Sequence, residues 1–215
     1  MKSTQALQNL VRVIGCANGN AGRKLGCEEA ARVMRQSPFL ANSTVPFQWE
    51  EPIEETVSGQ GLAAIPGVVK TAQKLAAATS RAVASGERVM VVGGDHSCAI
   101  GTWSGVASAL RRDGDLGLIW VDAHLDAHTP VSSETGNIHG MPVAHLLGIG
   151  DPALATIGDG KPKIFPHNLC FVGIRSFESP EQDLLEGLGV RIFYMDEVRR
   201  RGICDVMQEA HHIVT

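Results

Sequence analysis

Short runs of β-branched and other apolar residues recur through this sequence, each followed by a longer stretch of helical character. That alternation confines the chain to βαβ units and a parallel sheet flanked by helices on both faces, an α/β fold. The pattern predicts strands at Val11–Gly15, Val89–Gly93, Leu116–Val121, Leu169–Ile174 and Val190–Tyr194. Their apolar character is continuous rather than alternating, as strands covered on both faces require. The Ala-rich stretch Ile65–Ser85 reads as a helix ending at Gly86, and Ser97 as the N-cap of a helix running towards Leu110. At 215 residues, 44% hydrophobic and 20% charged, one domain over 1–215 is expected.

Two stretches break the rhythm. Ser37–Gly61 mixes Pro, Asn and Ser with Glu50, Glu51, Glu54 and Glu55, which reads as loop carrying one edge strand near Val45–Trp49. Gly148–Pro166 reads as a surface connection. A net charge of −4 offers no general attraction to nucleic acid or to anionic lipid. Met1–Asn20 lacks the apolar core of a signal peptide, and no window is long enough for a membrane span. The five cysteines (Cys16, Cys27, Cys98, Cys170, Cys204) are scattered without a CxxC pair, which fits a reducing cytoplasm.

The chemistry concentrates after two strands. Asp122, His124 and Asp126 follow the apolar run Leu116–Val121, and in an extended segment alternate residues share a side, so the three can converge while Ala123 and Leu125 face elsewhere. Two carboxylates that close repel each other unless a cation neutralises them. Val89–Val92 leads into Gly93-Gly94-Asp95-His96-Ser97, whose glycines permit a tight turn before the next helix and let His96 project over the sheet edge. If the two strands are neighbours, four ligands meet outside the carboxyl ends of the sheet, where α/β proteins place their sites. Imidazole and carboxylate donors favour manganese, magnesium, iron or cobalt over a closed thiolate zinc site.

GGDHS at Gly93–Ser97, VDAHLDAHTP at Val121–Pro130, TGNIHGMP at Thr135–Pro142 and VGIRSFE at Val172–Glu178 together resemble the arginase branch of the ureohydrolases, which also include agmatinase and formimidoylglutamase. The resemblance implies an arginase-like three-layer αβα fold and two Mn2+ ions bridged by a hydroxide that attacks a guanidinium carbon, most simply turning L-arginine into L-ornithine and urea. It makes His96 and Asp126 ligands of one ion, His124 a ligand of the other, and Asp122 a bridge between them. His139 is implied as a proton shuttle, catalytic together with Asp126, because an imidazole titrates near neutrality. Ser133, Thr135 and Asn137 fall where arginases bind the substrate α-carboxylate, and Glu178 where they place an acid near the α-ammonium. A cytoplasmic homo-oligomer, trimer or hexamer, is also implied.

Two departures from the family pattern stand out. His128 occupies a position where typical arginases carry Asn, which leaves agmatine or another guanidino acid as alternative substrates. The family's later SxDxD-type aspartates and its guanidinium-binding acid have no counterpart here, so the expectation is a C-terminally truncated chain, or an inactive metal-binding or assembly subunit. Gly19-Asn20-Ala21-Gly22-Arg23-Lys24 lacks phosphate-loop spacing and reads as a turn before a helix starting near Cys27. Arg199–Arg201 reads as a solvated helix end, His211 and His212 as surface residues, and Cys98 receives no nucleophilic role.

Overall fold

In the computed structural model, which describes residues 10–22, 25–55 and 58–215, the strand β1 (Val11–Ala17) organises the first half of the chain. Along one edge of it run β2 (Phe47–Trp49) and then β3 (Ile53–Glu54), and β4 (Arg88–Gly93) pairs with it over six residues from Val11 opposite Arg88 to Cys16 opposite Gly93. A second group orders β5 (Leu118–Val121), β6 (Leu169–Ile174) and β7 (Arg191–Tyr194), with β6 in the middle. Every pairing among the described strands is parallel, as the alternating pattern demands. All six residues of β6 are buried, which is why its sequence LCFVGI shows no polar alternation.

Helices supply both covering layers. Ile65–Ala84 turns its Val68, Thr71, Ala72, Leu75 and Ala76 inward, at the three- and four-residue spacing of a buried stripe, and stops at Gly86 with φ 75°. It packs closely on the helix Cys98–Leu110, where Gly105 is required: a Cβ there would lie 2.3 Å from the carbonyl oxygen of Ala76. On the other group of strands, Val206 and Ala210 of the helix Ile203–Val214 cover Cys170, Val172 and Phe193. No helix among the described residues is long and apolar enough to cross a membrane.

Three expectations change. Ser97 stands at the N-cap position of the helix, but its side chain makes no capping bond: its hydroxyl donates to Asp95 Oδ1 at 2.6 Å while its N–H donates to the same oxygen at 3.0 Å. Asp95, two residues earlier, holds Ser97 in place at the start of the helix. Gly148–Pro166 is not simply a surface connection. Asp151 caps the short helix Pro152–Ala155, accepting from the N–H of Ala153 at 2.8 Å, and Leu154 and Ile157 are buried against Val68, Ala72 and Ala76. Lastly, β4 and β5 are not paired neighbours among the described strands; each belongs to a separate group. Of the phosphate-loop look-alike, Arg23 and Lys24 lie outside the described residues, as do residues 1–9 of the N-terminal segment. The four loop glutamates face cations, Glu50 on Arg12 at 3.7 Å, Glu51 on Arg35 at 3.0 Å, Glu54 on Arg32 and Glu55 on Lys74.

Candidate metal centre

Although β4 and β5 do not pair, the segments that leave them meet. His96 follows β4, and its ring stacks on Trp120 of β5, with centroids 4.6 Å apart and planes at 28°. Its Nδ1 then lies 2.6 Å from Asp126 Oδ2 and 3.2 Å from Asp122 Oδ2. Ligand atoms of His96, Asp122 and Asp126 all fall within 4.8 Å of one another, an arrangement that could hold a metal ion. Convergence does not come from strand alternation, because the chain bends immediately after Val121. Asp126 adopts φ 49°, the left-handed region that Asp tolerates better than most residues, and this turns its carboxylate back towards Asp122. Leu125 is meanwhile fully buried in the core, anchoring the bend.

His124 stands slightly apart. It is exposed, and its Nδ1 is 3.3 Å from Asp122 Oδ1, while its N–H donates to that oxygen at 2.9 Å. Asp122 thus offers one oxygen to His96 and the other towards His124. Burial pulls the His96 imidazole down, but hydrogen bonds and charge from Asp122 and Asp126 outweigh it and hold the ring up at about 9. Burial would likewise push the Asp122 carboxyl up, but the hydrogen bonds from His96 and from the N–H of His124 bring it down to about 2. In the protein alone, a protonated His96 supplies the positive charge that the two carboxylates need.

A cavity of about 530 Å³ opens beside this cluster. Its wall takes in His96, His124 and Asp126 together with His128, Ser133, Thr135, Asn137, His139 and Glu178, so eight other residues singled out by sequence share one space with His96, and only Asp122 sits behind it. His128 is buried, with Nε2 3.2 Å from Glu178 Oε2 and 3.4 Å from Glu181 Oε2, and Nδ1 3.1 Å from Ser132 Oγ. His139 sits in a single helical turn, Ile138–Gly140, and its N–H donates to the carbonyl of Ala21 at 3.1 Å.

Glu134, Ser176, Phe177 and Glu181 also line the cavity, and sequence reasoning passed over them. Glu181 is buried; it accepts from the N–H of Ala127 at 3.0 Å and of Glu178 at 3.1 Å. Its signal was available, because Glu178 and Glu181 form a reciprocal capping box at the start of the helix Ser179–Gly187. At Cys98, beside the His96 turn, burial pushes the thiol up to about 12, away from the thiolate form that a nucleophile needs.

A parallel α/β protein with an imidazole–carboxylate cluster able to hold a metal at the carboxyl ends of its strands is the class that fold and site define. A model of the arginase family matches residues 10–215, and the chain belongs to that family. It is similar to the arginase of Bacillus caldovelox, 46% identical over 145 residues that make up 67% of this chain and 48% of the relative. The solved arginase from Bacillus caldovelox superposes with a TM-score of 0.86 at 34% identity, covering 96% of this chain and 71% of that one. The arginase of Entamoeba histolytica in complex with L-ornithine gives a TM-score of 0.86 at 27% identity, covering 95% and 71%. The chain spans about half the length of the curated relatives it matches.

Proposed function

We propose that this chain carries the metal centre and substrate cavity of a manganese-dependent hydrolase that cleaves the guanidinium group of L-arginine to give L-ornithine and urea. The observation that supports the reading is the single cavity described above, with His96, His124 and Asp126 at one part of its wall and Ser133, Thr135, Asn137, His139 and Glu178 at another. The donor set fits a hard divalent ion: oxygen and imidazole nitrogen only, with two carboxylates close enough to demand a cation. His96 and Asp126 would hold one Mn2+, His124 a second, and Asp122, with an oxygen towards each histidine, both.

When bound, manganese would supply hydroxide at neutral pH by acidifying a water held between these residues. The remaining work falls to the chain. The hydroxyls of Ser133 and Thr135 and the amide of Asn137 donate to the substrate carboxylate, and Glu178 accepts from its ammonium. His139, half-buried on the cavity wall, carries a proton to the departing amine as the carbon–nitrogen bond breaks, so that water and arginine balance as ornithine and urea. A cytoplasmic homo-oligomer, trimer or hexamer, accompanies this reading. Urea release from L-arginine, agmatine and guanidinobutyrate by the Mn2+-loaded chain tests it. Preferential turnover of L-arginine is expected; Mn2+ uptake without urea from any of the three would make the chain a metal-binding subunit instead.

A further inference from the structure

The turn that carries His96 is gripped from outside the metal cluster. Asn18, just beyond β1, is buried and uses both ends of its amide. Its Nδ2 donates to Asp95 Oδ1 at 2.9 Å and to Ser97 Oγ at 2.8 Å, and its Oδ1 accepts from the N–H of Gly94 at 3.2 Å. Its carbonyl accepts from the N–H of Asp95 at 2.9 Å. The approach is so close that a Cβ on Gly94 would lie 1.7 Å from that carbonyl oxygen, which excludes every residue but glycine. His96 is therefore flanked on both sides by residues whose side chains are fixed.

Asp95 continues the chain of contacts. Its Oδ2 accepts from the N–H of Ala21 at 3.0 Å, and the carbonyl of Ala21 accepts from the N–H of His139 at 3.1 Å. One buried peptide residue thus ties the His96 turn to the His139 turn. We propose that Asn18 and Asp95 are positioning residues, forming a strap through Ala21 that sets the metal-binding His96 and the proton-carrying His139 in register. The proposal rests on the roles given to those two histidines under Proposed function. A buried polar network of this kind is rigid only when every member is satisfied, so cutting one bond loosens both ends.

The test uses the whole chain, with Mn2+ binding followed by the electron paramagnetic resonance of free Mn2+ and exchange of the His139 amide followed by NMR. Asn18→Ala removes the grip; Asp95→Asn sets an amide N–H against a donor in either orientation. Both are expected to weaken Mn2+ binding about ten- to a hundredfold, as loss of supporting contacts around a metal ligand does, and to speed His139 exchange at least about tenfold. Ile14→Val, in the buried core of β1, lowers stability without touching the strap and should move neither readout. If either readout in the two strap variants stays within about twofold of Ile14→Val, the proposal is overturned. Should Asn18→Ala fail to fold, Ser97→Ala deletes one partner of Asn18 and one of Asp95, and an absence of any shift there overturns it equally. A parent that takes up no Mn2+ refutes the metal reading alone, and the amide exchange then decides for or against the strap.

Discussion

His96 Nδ1 lies 2.6 Å from Asp126 Oδ2, a contact made across a break in the sheet rather than along a shared ladder. The ring reaches that position by stacking on Trp120, and the carboxylate reaches it by adopting a left-handed backbone. Two independent devices, one of packing and one of local conformation, therefore hold an acid and a base in contact where a metal can replace the proton between them.

The metal-free protein should show the imprint of that contact in its pH stability. His96 is held up at about 9 against an ordinary 6.5, so its contribution is fully present below 6.5 and is lost as pH rises through about 9. Asp122 is held down at about 2 against 3.8, so its contribution is present above 3.8 and lost as pH falls through about 2. Urea denaturation midpoints should fall between about pH 6.5 and pH 9.5, and His96→Ala should flatten that part of the profile. A parent profile already flat there would contradict the assigned contact.

Manganese binding should show the opposite sign, because the ion and the His96 proton compete for the same nitrogen. Calorimetric titration at about pH 7 in buffers of differing ionisation enthalpy should report release of about one proton from His96 on Mn2+ binding, with affinity rising towards about pH 9. Asp126→Asn keeps a residue that tolerates the left-handed backbone but removes the charge, and should weaken binding by at least about a hundredfold.

Much of this site was legible in the sequence because its signals are local. Gly93–Gly94 announced a tight turn and put His96 at the end of a strand, and the spacing of Asp122, His124 and Asp126 put three donors in one short segment. The parallel α/β fold followed from strands as uniformly apolar as Leu169–Ile174. What escaped depends on contacts distant in sequence or on unusual backbone. Nothing in VDAHLDAH says that Asp126 turns left-handed, so the nearness of Asp126 to His96 and Asp122 has a different origin from the strand alternation that suggested it. Asn18 and Asp95 meet across 77 positions, and Glu181 and Ala127 across 54, separations at which residue type alone carries no pairing information.

Glu181 ties the stretch after Asp126 to the helix that presents Glu178. Its removal in Glu181→Ala leaves the N–H groups of Ala127 and Glu178 without this acceptor, at a cost of about 1–3 kcal/mol in stability measured by chemical denaturation. Glu181→Gln retains one acceptor oxygen and should lose less than Glu181→Ala. Equal losses in the two variants would assign the effect to packing instead.

His128 faces Glu178 across 3.2 Å and lines the cavity where the family pattern has Asn. His128→Asn exchanges an imidazole for a neutral amide, and a change of one hydrogen bond, about 0.5–1.5 kcal/mol, should alter the preference for L-arginine over guanidinobutyrate about two- to tenfold. Competition binding with the two compounds reads this directly, and an unchanged ratio removes His128 from substrate selection.

The most direct examination of the metal centre is a crystal structure of the chain grown with Mn2+, with data collected at the manganese absorption edge. Anomalous density is expected in contact with His96 Nδ1 and oxygens of Asp122 and Asp126, and it should vanish in His96→Ala. A fully ordered cavity with no anomalous density there, His96 still paired to Asp126, would contradict the account at its root.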